Sequence, residues 1–136
     1  PSIQPDTISV IIPTFNRAHT LSRALESIYA QNSSPAEIIV IDDGSTDETL
    51  SLLQEEHPSV RPITQENRGV SAARNRGIAA SKTPWIALLD SDDAWKPDKL
   101  ERQIRILKNN PASRICHTEE IWIRNGRRVN PKHKHA

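Results

Sequence analysis

Residues Ile8 to Ile12, ISVII, are the stretch on which the fold turns. Four of these five residues are isoleucine or valine, and no polar alternation leaves room for a solvent face. Such a run predicts a strand buried on both sides, as in a parallel sheet covered by helices. Pro13 is expected to end it. Working outward, Leu21, Ala24, Leu25, Ile28 and Tyr29 recur at helical spacing, which predicts an amphipathic helix over about residues 18–31. Glu37 to Ile41, EIIVI, reads as a second buried strand that ends on Asp42 and Asp43.

The same alternation continues along the chain. Ser45 and Glu48 have capping-box spacing ahead of a helix to Glu56, with Leu50 and Leu53 inward. A weak strand over Val60 to Thr64 contains Pro62, which suits a sheet edge. Gly69 to Ser81 is alanine-rich and helical, and Trp85 to Leu89 is another strong strand. Pro97 suits a first helical turn, with Asp98 and Glu101 near its positive end and Leu100, Ile104 and Leu107 inward. Arg114 to Arg124 reads as a last strand, and Asn125-Gly126 is a hairpin signal. Strands that alternate with helices predict an α/β fold: a mostly parallel central sheet with helices on both faces. Ligands of such sheets bind at the carboxyl ends of the strands.

The totals narrow the function. A chain of 136 residues is enough for one domain with a real core. Eighteen basic and 17 acidic residues nearly cancel, to +1, which argues against a nucleic-acid binder. One cysteine, Cys116, forms no internal disulfide and points to a reducing compartment, so a cytoplasmic location is expected. No apolar run approaches the roughly 20 residues of a membrane helix. The basic tail Arg127 to His135 reads as a frayed end, or as a patch for peripheral association with the inner face of a membrane.

Unusual residues gather where the strands end. Asp90, Asp92 and Asp93 place three carboxylates in four positions. A helix cap explains one of them. Three repel one another unless a cation sits among them, and oxygen-only ligands suit Mg²⁺ or Mn²⁺. Since Mg²⁺ usually fills its sphere with phosphate oxygens, the cluster predicts a phosphate-bearing substrate. Asp42 suits a turn cap. Asp43 can accept from a base N–H or a ribose hydroxyl. Phe15, in the PTFN that follows the first strand, either stacks on a base or joins the core. Arg68, Arg74 and Arg76 lie near a helix start, where a guanidinium fork can meet a phosphate or base. No glycine-rich phosphate loop and no catalytic Ser-His-Asp pattern is present, and the five histidines lack metal-ligand spacing.

Together VIIPTFNR, IVIDDGSTDET, NRGVSAARNRGI and WIALLDSDDAWKPDKLERQI resemble the nucleotide-sugar-binding half of family 2 glycosyltransferases, which have the GT-A fold. The resemblance covers Ile8 to about Leu107. It implies a metal-dependent enzyme that moves a sugar from a nucleotide-diphospho-sugar, with UDP expected, to a saccharide or lipid-linked acceptor with inversion. It implies that Pro13, Phe15, Asn16, Asp43, Arg74 and Asp92 bind the donor nucleotide. Asp92, Asp93 and Asp90 would hold the Mn²⁺ or Mg²⁺; the motif reads either as Asp90-x-Asp92 or as Asp92-Asp93. Residues 1–110 would form the donor domain and 111–136 the start of an acceptor region. Family members continue further and carry the catalytic base later. Glu119 and Glu120 are not assigned that role, and the chain is expected to be an amino-terminal portion that binds donor with little or no turnover. The alternatives are a nucleotide-binding fragment without catalysis and a Mg²⁺-binding receiver module, though the latter's lone phosphoacceptor pattern is not evident.

Overall fold

The computed structural model describes residues 3–109, 115–116 and 121–123. A single 3-10 turn at Pro5–Thr7 precedes β1 (Ile8–Thr14), α1 (Ala18–Tyr29), β2 (Glu37–Asp42), α2 (Thr49–Glu56) and β3 (Arg61–Thr64). Then come α3 (Val70–Ala80), β4 (Trp85–Leu88), α4 (Lys99–Lys108), β5 (Ile115–Cys116) and β6 (Ile121–Ile123). The strands lie in the order β3-β2-β1-β4-β6-β5. β1 to β4 form a parallel sheet. β6 adds to the edge of β4 in antiparallel fashion, and β5 pairs antiparallel with β6.

β1 is central and buried at all seven positions. Its side chains alternate between two cores. Ile8, Val10 and Ile12 face a cluster built from α1, α2 and α4, with Leu21, Leu25, Leu53, Leu100 and Leu107. Ile11 faces the other way, with Ile39, Ile41, Ile86 and Leu88, against Ala73 and Ile78 of α3. Full burial of each such side chain stabilises the fold by about 1.5–3 kcal/mol. This two-sided burial is why the run showed no polar alternation. α3 reaches the sheet through small residues: a Cβ at Gly77 would meet the Ile11 side chain and stand 3.3 Å from Ile41 Cγ1.

Several expectations are corrected. Pro13 does not end the first strand, which runs to Thr14 with Pro13 opposite Ile41. Ile11 accepts from Leu89 N–H on the β4 side. Pro13 has the same orientation, so its missing N–H falls on that side, where the β1–β4 register has already stopped at Ile11–Leu88. Ser45 and Glu48 do not form a capping box: α2 starts at Thr49 with no side-chain cap from Glu48. Ser45 Oγ instead accepts from Asn16 N–H, and Asp47 takes the Thr49 N–H at 3.0 Å. Tyr29 is not inward but exposed. One strand over residues 114–124 becomes two short strands in the same sheet, separated in sequence by polar residues. Both belong to the same sheet as β1 to β4. Asn125-Gly126, Glu119, Glu120 and the basic tail lie outside the described residues. β3 sits at the edge, as Pro62 predicted.

Strand order reverses between β1 and β4, because β2 and β3 lie on one side of β1 and β4 on the other. Helix connections on opposite sides of that point splay apart and leave a crevice at the carboxyl ends.

Candidate functional site

The loops after β1, β2 and β4 meet above this reversal, with the first turns of α3 behind them. They enclose a cavity of about 350 Å³ lined by Pro13, Phe15, Asp43, Arg74, Asp90 and Asp92. Thr14, Arg17, Val70, Ala73 and Ser91 complete the lining. Six sequence-predicted residues are thus brought together. Asn16 and Asp93 are not in the wall.

Asn16 has a different task. Its backbone is left-handed, at φ 52°, a conformation that asparagine tolerates. Its Oδ1 accepts from the N–H groups of Thr46 at 2.8 Å and Asp47 at 3.3 Å. Asn16 therefore ties the loop after β1 to the loop after β2. Asp42 behaves as the turn cap expected of it, accepting from Ser45 N–H at 3.0 Å.

Asp43 is buried and holds four donors from one segment. Oδ1 accepts from Gln65 Nε2 and Arg68 N–H, both at 2.8 Å. Oδ2 accepts from Gly69 N–H at 2.9 Å and Asn67 Nδ2 at 3.2 Å. Burial pushes the carboxyl pKa up, but the bonds from Gln65, Arg68 and Gly69 outweigh it and hold the group below the usual carboxylate range. Gly44 makes the approach possible. Its φ is 79°, and a Cβ there would stand 2.8 Å from Asn67 N. The sequence showed Asp43 as a free acceptor; the fold also makes it the anchor of the 65–69 loop, which leads into α3 and its Arg74.

Phe15 is 43% exposed at the cavity mouth, so it is not core. Val70, 52% exposed, lines the same cavity. Arg74 lies deeper, with its side chain 14% exposed and Nη2 3.0 Å from Asp90 Oδ1. Arg74 Nε and Thr14 Oγ1 are buried with no hydrogen-bond partner among the described residues. Buried polar atoms are normally satisfied, so two orphans in one cavity wall favour a polar ligand there. Thr14 lies within the PTFN motif, but its single hydroxyl in a strand-end position gave no reason to single it out.

The acid cluster sits at the rim. Asp90, Asp92 and Asp93 are exposed, and each offers one carboxylate oxygen within 4.8 Å of the others. The set is all oxygen, which suits a hard divalent cation. Asp90 also pairs with Arg74, at 3.0 Å. His57 is buried away from this cavity, between Ser22 Oγ and Tyr29 OH at 2.9 Å from each.

A parallel α/β sheet with an acid cluster and a half-buried arginine at its switch point has the architecture of the GT-A fold. Residues 9–134 match the description Glycosyl transferase family 2, and the chain belongs to that family. It is 40% identical over 127 residues to an uncharacterized glycosyltransferase of Nostoc, covering 90% of this chain and 39% of that protein. It is 38% identical over 116 residues to an Escherichia coli UDP-Glc:alpha-D-GlcNAc-diphosphoundecaprenol beta-1,3-glucosyltransferase, covering 84% of this chain and 46% of that protein. Among solved structures, it resembles a Pyrobaculum calidifontis mannosyltransferase in complex with GDP-Man and Mn²⁺. There the TM-score is 0.66 at 28% identity, over 77% of this chain and 34% of that one. The chain thus spans less than half the length of each of these three. No helix among the described residues is long and apolar enough to cross a membrane.

Proposed function

We propose that this domain binds a nucleotide-diphospho-sugar, with UDP as the nucleotide, in the cavity at the β1/β4 reversal. The observation that carries this is the pairing of a half-buried Arg74, whose Nε has no partner among the described residues, with the acid cluster of Asp90, Asp92 and Asp93 at one cavity. Phe15 offers a face for the base and Asp43 remains within reach of it at the wall. Asp92 and Asp93 would hold Mn²⁺ or Mg²⁺, whose charge offsets that developing on the departing nucleoside diphosphate. Arg74 adds a fixed positive charge on the same side and holds Asp90 in place. The Mn²⁺ complex of the mannosyltransferase and the UDP-sugar named for the glucosyltransferase support this reading.

The sugar would pass, with inversion, to a saccharide or lipid-linked acceptor, as the name of the glucosyltransferase relative suggests. Among the described residues, the acids at the cavity and its rim already have duties: Asp43 anchors a loop, Asp90 pairs with Arg74, and Asp92 and Asp93 serve the proposed cation. The catalytic base is therefore assigned to no described residue, and residues 1–110 are read as the donor-binding part. Calorimetry tests the proposal. UDP should bind with Mn²⁺ present, and chelation should weaken it by at least about tenfold, with GDP and dTDP as comparisons. Nucleotide binding indifferent to metal, or no binding, would overturn it. Full turnover by the 136-residue chain would overturn the assignment of the base.

A further inference from the structure

The acid-bearing loop between β4 and α4 is held from outside by one stripe of polar side chains. Thr20, Arg23 and Ser27 on α1, with Gln31 just past its end, recur at spacings of three, four and four, which place them on one helical face. Thr20 Oγ1 donates to Ser91 O at 2.9 Å, and Arg23 Nη2 donates to Asp92 O at 2.7 Å. Trp95 N–H donates to Ser27 Oγ at 3.0 Å. Gln31 Nε2 donates to Lys96 O at 2.6 Å, while its Oε1 accepts from Leu100 N–H at 3.0 Å. Five backbone groups from Ser91 to Leu100 are therefore met in order by one stripe. Within the loop itself, Asp93 N–H bonds Asp90 O at 3.0 Å.

The two ends of the stripe differ. Ser27 and Gln31 are partly or fully covered and secure the start of α4. Thr20 and Arg23 grip the peptide carbonyls of Ser91 and Asp92, between and beside the three acids. A carbonyl bound there fixes the peptide planes that carry the Asp92 and Asp93 side chains.

We propose that Thr20 and Arg23 are positioning residues that hold the Asp90–Asp93 loop in the geometry in which it receives a divalent cation. This rests on the metal reading above. Groups that orient metal ligands from behind commonly change metal affinity by about 10–100-fold when removed. Here the grip is on backbone rather than on the carboxylates, so the lower end applies.

The test uses the chain with Thr20→Val, Arg23→Ala and both together, with Thr20→Ser and Arg23→Lys as conservative partners. Mn²⁺ is titrated with and without UDP and followed by electron paramagnetic resonance of the free ion. Amide hydrogen exchange is read in metal-free protein. The double variant should bind Mn²⁺ about tenfold more weakly, and Thr20→Ser should recover its share. The Asp93 amide should exchange about tenfold faster while the Trp95 amide, held by Ser27, and the β1 amides keep their protection, which separates a loosened loop from a lost fold. Arg23→Lys, with charge but one reaching donor, should fall between wild type and Arg23→Ala. Wild-type Mn²⁺ affinity in the double variant would overturn the proposal alone. A wild-type chain that takes up Mn²⁺ neither alone nor with UDP would overturn the metal reading and the proposal with it.

Discussion

Replacing Asp43 by asparagine keeps the shape of the side chain and removes one acceptor oxygen. In the native structure each carboxylate oxygen takes one backbone N–H and one side-chain amide. Asparagine must turn its NH₂ toward one of these two pairs, so two donors lose their acceptor. The Gln65 or Asn67 amide can rotate toward water. The Arg68 or Gly69 N–H cannot, because the chain there is fixed. One stranded backbone donor costs about 1–3 kcal/mol, and the surviving bonds lose their charge assistance. The expected loss is about 3 kcal/mol, a large part of the roughly 5–15 kcal/mol that holds a domain together. Urea unfolding should show a lower midpoint at unchanged slope. Hydrogen exchange at Arg68 and Gly69 should speed up. The acid limb should change as well. The folded carboxyl lies below its usual range, so its contribution is complete above the unfolded value of about 3.9 and is lost as pH falls through the lower folded value. The asparagine variant should lack that part of the pH dependence. A loss below about 1 kcal/mol, with unchanged exchange at Arg68 and Gly69, would refute the view that Asp43 anchors the 65–69 loop.

Two further outcomes follow from packing and exposure. Phe15→Ala should alter stability by no more than about 0.5 kcal/mol, since the ring is already exposed. It should weaken UDP binding by about 1–3 kcal/mol in calorimetry if the ring stacks on the base, and unchanged binding would remove Phe15 from the site. Gly77→Ala should gain about 1 kcal/mol in helix propensity. The methyl would press on Ile11 and stand 3.3 Å from Ile41 Cγ1, and overpacking of that kind costs about 1–3 kcal/mol. A net loss of about 1 kcal/mol is expected in thermal unfolding, and a stabilised variant would show that α3 moves away from the sheet freely.

The architecture was legible because burial on both faces leaves a mark in a single segment. Ile8 to Ile12 and Glu37 to Ile41 have no polar alternation, and only a sheet covered on two sides accepts them. Pro62 marked its strand as an edge because a missing N–H is tolerated there. Pro13 misled for the same reason: whether a strand can hold a proline depends on which side its absent donor faces, and that is set by the neighbouring strand. Ser45 misled because its hydroxyl serves Asn16, 29 residues away, and no local spacing records such a partner.

The site divides in the same way. The sequence by itself determined which chemical groups stand at the strand ends: three carboxylates after one strand, two after another, an aromatic after a third. Strand ends of a parallel sheet face one rim, so their meeting could be inferred from order alone. Only the tertiary structure decided what each group is free to do. It turned Asp43 toward four donors, gave Asp90 to Arg74, left Arg74 Nε and Thr14 Oγ1 without partners among the described residues, and laid a stripe of α1 along the acid loop. Those outcomes depend on contacts between residues tens of positions apart, which the packing of helices on the sheet creates and the linear pattern does not encode.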